Sequence, residues 1–274
     1  MNKESIWSYL QSAGGGDFEA PFGLTEGEIY YFEITDSTNV RAWEETRQGT
    51  GDGALFVAND QSQGKGRRGR QWVNTPGCNL CFSLRLYPTL GPERISMVTL
   101  VMALAVAKAV ESMTGLECGI KWPNDILVQG RKVCGILTEL KMGGSHTECL
   151  IIGVGINVKE QEFPRELQAR AGALEVLCGR EIIREQLLAE LLKAFEEDYR
   201  CFLERGDLTD LQEDYQHRLL NLNRPVRILE AAGTYEGVAL GITPMGKLLV
   251  RTPDGNVECV YAGEVSVRGP EGYI

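Results

Sequence analysis

The chain has 274 residues, of which 43% are hydrophobic and 24% are charged, the composition of an ordinary globular protein. Its net charge of -10 argues against binding to nucleic acid or to an anionic membrane as its main role. The N-terminus lacks the apolar segment of a secretory signal. The most apolar stretch, 97–110, is broken by Lys108 and is too short to span a bilayer. We therefore expect a cytoplasmic protein.

Residues 1–28 contain several glycines and little periodicity, which predicts a short helix or a loose leader and not a domain. A strand-like run over 30–35 follows, and it leads into the polar segment 36–39. Either one of its four residues caps a helix over 40–47, or its Ser, Thr and Asn side chains hydrogen-bond the polar head group of a ligand.

The next strand, predicted over 53–59, leads to the segment Gly64–Arg70, in which three glycines separate four cations. Glycine allows close approach of the backbone to a ligand, and the cations supply charge-assisted hydrogen bonds to phosphate or carboxylate. The segment is therefore either a clamp over an anionic ligand, or a solvated loop or nucleic-acid patch. It does not have the spacing of a Walker A loop.

A strand predicted over 77–86 contains Cys78 and Cys81, which have the spacing of a zinc half-site or a redox pair. No second pair of this spacing occurs, and His146 and His217, which are the only histidines, lie far apart in the sequence. We interpret these cysteines as core thiols and predict no metal site.

The alanine-rich segment 94–113 predicts a helix that is apolar on all sides and lies under a sheet, with Gly115 as its C-terminal cap. In the segment 121–125 (KWPND), Pro123 cannot donate a ladder hydrogen bond, so the preceding strand should end there. Asn124 and Asp125 are then exposed at the rim of the sheet, either as part of a site or as a polar turn.

Two strands at 125–129 and 132–140 are joined by a tight connection at Gly130 and Arg131. A further strand at 147–158 contains a Gly-x-Gly-x-Asn sequence, which is a weak signal for a close backbone approach. As an exposed edge strand, it would permit a homodimer.

The clearest amphipathic helix spans 184–203. Its predicted buried face consists of Leu187, Leu188, Leu191, Leu192, Phe195, Tyr199, Phe202 and Leu203. From 223 to 274 only short strands occur, at roughly ten-residue spacing, which predicts a small β-barrel of about five strands. The sequence thus predicts an α+β fold with domains at 29–222 and 223–274.

Taken in order, the motifs DSTN, QSQGKGRRGRQW, KWPND, RKVCGILTE and GVGINV resemble those of the biotin protein ligase family. The resemblance implies a catalytic domain with a mixed sheet, like that of class II synthetases, followed by an SH3-like barrel. Some family members have an N-terminal DNA-binding domain. Only about 28 residues precede the catalytic region here, so we expect no nucleic-acid partner.

The activity implied by this resemblance is ATP-dependent formation of biotinyl-5′-AMP, with Mg²⁺ accompanying the ATP. Biotin is then transferred to a lysine of the biotin carboxyl carrier domain of a biotin-dependent carboxylase. Two catalytic residues are implied, Lys132 and Arg67. The implied biotin-binding residues are Ser37, Thr38, Asn39, Gln61, Lys65, Gly66, Arg67 and Lys132. Those implied at the nucleotide or adenylate are Arg70, Trp72, Asn124, Asp125, Asn157 and Arg268.

Three alternatives remain open from the sequence. A lipoate-type ligase shares the fold and the adenylate chemistry, and a biotin sensor would bind ligand without modifying a carrier. The C-terminal barrel could also be a peptide-binding module, although it has few aromatic residues for such a groove.

Overall fold

Two sheets organise the part of the chain that this computed structural model describes, which is residues 1–13, 20–45, 53–88, 91–143, 146–230, 233–262 and 266–269. The helices are α1 (Lys3–Ala13), α2 (Thr38–Glu45), α3 (Pro92–Thr114), α4 (Leu174–Cys178), α5 (Arg184–Arg205) and α6 (Gln212–Arg218). The larger sheet contains β1 (Ile29–Thr35), β2 (Gly53–Gln61), β3 (Asn79–Leu86), β4 (Cys118–Lys121), β5 (Asp125–Val128), β6 (Arg131–Gly143) and β7 (His146–Asn157). The smaller sheet contains β8 (Pro225–Glu230), β9 (Gly233–Ile242), β10 (Leu248–Arg251), β11 (Val257–Val260) and β12 (Ser266–Arg268).

The larger sheet is mixed, with the strand order β1-β2-β3-β7-β6-β5-β4. Its β1–β2 pair is parallel, and its other neighbouring strands are antiparallel. Strand β7 is hydrogen-bonded to β3 on one side and to β6 on the other. The prediction that this strand forms an exposed edge is therefore wrong, because both of its sides are paired within the sheet. A homodimer through β7 has no support from the fold.

Helix α3 packs against the larger sheet, and Gly115 ends it in the left-handed conformation, with φ 71°. By length and composition it could cross a membrane, so the sequence argument that its apolar stretch is too short does not hold. However, 72% of its most apolar window is buried within the protein. The predicted buried helix under the sheet is confirmed, and burial accounts for its apolar composition.

Helix α5 packs across α3 and buries its apolar face as predicted, with one exception. Leu203 is 43% exposed, because it lies beside the buried face and close to the end of the helix. Residues 3–13 form α1, whose Ile6 and Leu10 are fully buried, and α1 packs against α5. The amino group of Met1 also pairs with Glu185, at 3.3 Å. The N-terminal segment therefore contributes to the main core.

The five predicted strands of the C-terminal region are confirmed and pair antiparallel in the order β11-β10-β9-β8-β12. Trp122, which directly follows β4 of the larger sheet, is 1% exposed and holds this unit in place. Its Nε1 donates to the carbonyl oxygen of Gly246 at 3.1 Å, while its backbone nitrogen donates to Asn221 Oδ1 at 2.9 Å. The small sheet is thereby fixed against the end of β4.

The cysteines carry free thiols. Cys81 is buried, and burial raises the pKa of its thiol to about 12, whereas Cys78 is half-buried. Among the described residues, no group of three or more His, Cys, Asp or Glu side chains could hold a metal ion. The interpretation of Cys81 as a core thiol is confirmed.

Candidate active site

Two adjoining open cavities lie over the larger sheet and are lined in part by its central strands, with about 460 Å³ and 1510 Å³ of empty space that includes solvent at their mouths. We call them the small cavity and the large cavity. They share a wall, which consists of Gly66, Arg67, Trp72, Asn124 and Lys132. Every site residue implied by the sequence resemblance lines at least one of them. The small cavity adds Ser37, Thr38, Asn39, Gln61 and Lys65, and the large cavity adds Arg70, Asp125, Asn157 and Arg268.

A chain of hydrogen bonds runs along the floor of the small cavity. Gln61 Oε1 accepts from the backbone nitrogen of Thr38 at 2.8 Å, which satisfies a donor in the first turn of α2. Ser83 Oγ lies 2.7 Å from Thr38 Oγ1 and 2.6 Å from Asn39 Oδ1. Asn39 Nδ2 donates to Glu139 Oε2 at 2.7 Å. These contacts fix the orientation of the Asn39 amide before any ligand binds.

Both interpretations of the 36–39 segment have a structural counterpart. The Ser37 carbonyl oxygen accepts from the backbone nitrogen of Arg41, at 3.1 Å, so the segment does begin a helix. Asp36 accepts hydrogen bonds from Arg41, and these hold the pKa of the Asp36 carboxyl below its usual value. The side chains of Ser37, Thr38 and Asn39 also line the small cavity.

Glycines on β6 and β7 provide the space that the site residues occupy. A Cβ on Gly153 would lie 2.1 Å from Asn39 Oδ1, and one on Gly155 would lie 2.4 Å from Trp72 Cε2. Gly135 is paired with Gly155 across the sheet, and its Cβ would be 3.1 Å from the Trp72 ring. The Gly-x-Gly signal therefore marks close approach to the backbone, as interpreted, and the approaching groups are Asn39 and Trp72.

The segment Gly64–Arg70 folds back on itself like a small hairpin. Gly66 N donates to the Arg70 carbonyl oxygen at 2.7 Å, and Trp72 N donates to the Gly64 carbonyl oxygen at 2.8 Å. Gly64 has no room for a side chain, because its Cβ would lie 2.7 Å from the Trp72 carbonyl oxygen. Arg68 and Arg70 are exposed, whereas Arg67 is half-buried.

Arg67 connects this loop to two distant parts of the chain. Its Nη1 donates to Asn124 Oδ1 at 2.8 Å, and its Nη2 donates to the carbonyl oxygen of Ala262 at 2.7 Å. Ala262 follows β11, so the contact joins the loop to the C-terminal unit. Arg67 therefore holds together the loop, the KWPND segment and the small sheet.

The KWPND segment ends β4 at Lys121, as predicted, and the Trp122–Pro123 peptide bond is cis. Asn124 and Asp125 are half-buried rather than fully exposed. Asp125 Oδ1 lies 2.5 Å from Lys132 Nζ, which also lies 5.8 Å from the centroid of the Trp72 ring. The ammonium of Lys132 is thus held at the junction between the cavities.

The large cavity is rich in cations, and sequence reasoning missed some of the residues that line it. Lys121 begins the KWPND motif, and nothing in the sequence gives it a role, although its side chain lies in the cavity wall. Ser83 and Glu139 support Asn39 from below and were also missed. Phe163, Leu167 and Arg170 line the large cavity from the segment after β7, where no motif marks them. Asn157 Oδ1 is held by Asn79 Nδ2 at 2.9 Å.

Comparison with known proteins shows which family the chain belongs to. A profile of the biotin/lipoate A/B protein ligase family matches residues 31–157, and a profile of the biotin protein ligase C terminal domain matches residues 222–268. The bifunctional ligase/repressor BirA of Bacillus subtilis (strain 168) is 34% identical over 255 residues, which are 91% of this chain and 78% of that relative. The biotin--[acetyl-CoA-carboxylase] ligase of Paracoccus denitrificans is 30% identical, covering 86% of this chain and 98% of the relative. The chain belongs to the biotin protein ligase family.

Members of this family also match in three dimensions. The biotin protein ligase from Aquifex aeolicus, solved in complex with biotin and ATP, superposes with a TM-score of 0.77 at 30% identity. The match covers 88% of this chain and 99% of that protein. The predicted α+β fold, with a mixed-sheet catalytic domain and a C-terminal SH3-like unit, is therefore confirmed.

Proposed function

We propose that this protein activates biotin with ATP to form biotinyl-5′-AMP and then transfers biotin to a lysine of a biotin carboxyl carrier domain. One observation carries the proposal: the two cavities share a wall that contains both Arg67 and Lys132. The small cavity is lined by hydroxyl and amide groups that match a ureido ring, and the large cavity is cationic and of a size to take a nucleotide. A carboxylate from one cavity can then meet a phosphate from the other beside two cations.

The chemistry requires two anions to approach each other. The carboxylate of biotin attacks the α-phosphorus of ATP, and pyrophosphate leaves. Lys132 and Arg67 offset the repulsion and stabilise the charge that develops in the transition state. The amine of the carrier lysine then attacks the carbonyl carbon of the mixed anhydride, and AMP leaves. Trp72, which is part of the shared wall, limits the access of water to the adenylate.

Magnesium fits this arrangement as a companion of the triphosphate. Asp125 supplies one carboxylate at the rim of the large cavity, and such ions take most of their ligands from phosphate oxygens and water. When bound, Mg²⁺ would neutralise phosphate charge. The side chains of the protein orient the reactants. The cysteines of the protein carry free thiols, which fit a reducing compartment, so we place the reaction in the cytoplasm.

The three alternatives that the sequence left open can each be weighed against this proposal. A lipoate-type ligase would use the same adenylate chemistry, but the relatives named above carry biotin ligase names, and the polar floor of the small cavity suits a ureido ring better than a dithiolane. A non-catalytic sensor would bind biotin but would leave a carrier domain unmodified. In the SH3-like unit, the Ala262 carbonyl oxygen accepts a hydrogen bond from Arg67, which favours a role in completing the site over independent peptide binding.

The test combines binding with product analysis. We would titrate the protein with biotin and with lipoate by calorimetry, without and then with ATP, and then add a carrier domain and record its mass. Binding of biotin together with a mass gain of one biotinyl group on a single lysine is the expected result. Selective binding of lipoate, or binding of biotin that never yields labelled carrier, would overturn the proposal.

A further inference from the structure

Asn79 is a buried amide that the proposed mechanism does not use, and it contacts a residue of the large cavity. It begins β3 and is paired across the sheet with Asn157, the last residue of β7. The two residues are 1% and 4% exposed, and Asn79 Nδ2 donates to Asn157 Oδ1 at 2.9 Å. Burial of two amides costs free energy that a pair of apolar side chains would not, so the pair needs an explanation.

A backbone group determines how both amides are turned. The backbone nitrogen of Thr75 donates to Asn79 Oδ1 at 2.9 Å, and a backbone N–H can only donate. The Nδ2 of Asn79 is therefore the atom that faces Asn157, and Asn157 must meet this donor with its Oδ1. The orientation of the Asn157 amide thus follows from Thr75 through Asn79.

The backbone of Asn79 is also held, by Arg184 at the start of α5. Arg184 is 8% exposed, and its Nη1 donates to the Asn79 carbonyl oxygen at 2.8 Å. The same guanidinium donates to Asn59 Oδ1, at 3.3 Å from Nη1 and 3.2 Å from Nη2. With its backbone and its side chain both bound, Asn79 has little freedom to turn.

This orientation leaves one atom of Asn157 available to a ligand. Alternate residues of β7 share a face, and along it Gly153 lines the small cavity, Gly155 lies against Trp72, and Asn157 lines the large cavity. The Oδ1 of Asn157 accepts from Asn79, and no residue in the described part of the chain accepts a hydrogen bond from its Nδ2. Asn157 therefore offers a donor to a molecule in the large cavity.

An uncharged donor suits the base of a nucleotide better than its phosphates, for which the cavity has cations. Phe163 and Leu167, which follow Asn157 in the chain, line the same cavity and supply aromatic and apolar surface for a planar ring. In adenine the exocyclic amine is a donor and the ring nitrogens are the acceptors. The Nδ2 of Asn157 can thus hydrogen-bond adenine only at a ring nitrogen.

We propose that Asn79 is a positioning residue for the nucleotide base, which holds the Asn157 amide so that its Nδ2 donates to a ring nitrogen of adenine. This inference rests on the proposed function, because it takes ATP as the occupant of the large cavity. Asn79 lines neither cavity, so it acts through Asn157 and not by touching the nucleotide. A residue that only closed the 75–79 turn would have no influence on which base is preferred.

The experiment measures biotin-dependent ATP–pyrophosphate exchange at saturating biotin, with ATP and with its 1-deaza, 3-deaza and 7-deaza analogues. Each analogue replaces one ring nitrogen by a C–H group and so removes one acceptor. We would compare the unmodified protein with Asn79→Leu, which removes the amide and keeps most of the side-chain volume. Asn59→Leu is the matched control, because Asn59 is also bound by Arg184 but lines neither cavity.

In the unmodified protein and in Asn59→Leu, we expect one of the three analogues to have a KM roughly two- to tenfold above that of ATP, the effect of one hydrogen bond. In Asn79→Leu, the KM for ATP should rise by about the same factor and the preference for ATP over that analogue should disappear. The KM for biotin and the rate at saturation should change little, because the small cavity and the shared wall are intact.

Two results would count against these expectations in different ways. If Asn79→Leu kept the full preference for ATP over the analogue, Asn79 would have a structural role alone, and the inference would be overturned while the proposed function stood. If the unmodified protein gave no exchange with any nucleotide, the proposed function and the inference would both be overturned.

A second variant keeps the inference testable if Asn79→Leu fails to fold, which thermal melts would reveal. Asn79→Ala makes no added steric demand and should abolish the preference in the same way. The unmodified protein also provides a test without any substitution. Equal KM values for ATP and all three analogues would show that no ring nitrogen accepts a hydrogen bond, and would overturn the inference.

Discussion

The indole of Trp72 lies directly against the backbone of Gly155, so close that a Cβ on that glycine would be 2.4 Å from Trp72 Cε2. We predict that Gly155→Ala displaces the indole from the wall between the two cavities. Overpacking of this kind costs about 1–3 kcal/mol. The rate of biotin-dependent ATP–pyrophosphate exchange should also fall, on the order of ten- to a hundredfold, because the displaced indole no longer lines the junction where the reactants are positioned.

The control for this prediction is the double-mutant cycle of Gly155→Ala with Trp72→Ala. Once the indole is absent, the added methyl group has nothing to displace. The glycine substitution should then have little further effect on exchange. If the two effects were instead additive, Gly155 and Trp72 would not act through their contact.

Lys132→Met removes the charge at the junction of the cavities and keeps most of the side-chain volume. We expect the loss of a charge-assisted contact of about 1.5–3 kcal/mol, and hence a ten- to hundredfold slower formation of the adenylate. Single-turnover measurement of biotinyl-AMP would show this effect. A rate equal to that of the unmodified protein would remove Lys132 from the proposed mechanism.

Arg67→Gly should release the adenylate into solution. Arg67 donates to both Asn124 and the Ala262 carbonyl oxygen, so its loss frees the loop from the KWPND segment and from the C-terminal unit. Arg68→Gly is the matched control, because Arg68 has the same charge in the same loop but is exposed. Chromatography of the reaction should show free biotinyl-AMP for Arg67→Gly alone, and retention of the adenylate by that variant would contradict the clamp.

Trp122→Phe tests the attachment of the C-terminal unit. The variant keeps an aromatic ring but loses the hydrogen bond to the Gly246 carbonyl oxygen. We expect the free energy of unfolding to fall by about 1–3 kcal/mol, since a buried acceptor is left unsatisfied. Urea titration gives the value, and Trp7→Phe, a half-buried tryptophan on α1, serves as the comparison. Equal effects of the two substitutions would show that the Gly246 contact contributes nothing specific.

Short sequence patterns predict the helices and strands and many of the residues of the site. Periodicity located α3 and α5, and the proline of KWPND located the end of β4. Strand order could not be obtained in this way, because pairing depends on contacts between distant segments. The central position of β7 illustrates this, since an apolar run reads the same in the middle of a sheet and at its edge.

Supporting residues were harder to find than the residues they support. Ser83 lies within a strand that reads as apolar, so its contacts with Thr38 and Asn39 leave no local pattern. Glu139 is the last residue of the RKVCGILTE motif, yet only the fold brings it to Asn39, 100 residues away in the sequence. The contact of Arg67 with Ala262 spans 195 residues and is equally invisible to local reasoning.

The wall common to the two cavities has a thermodynamic consequence. A molecule in the small cavity restricts Arg67, Trp72 and Lys132, which are the same side chains that a molecule in the large cavity must meet. The two occupants therefore cannot bind independently. If a molecule in the small cavity changes the affinity of the large cavity for its ligand by some factor, the ligand in the large cavity changes the affinity of the small cavity by the same factor, because linkage between two sites is reciprocal.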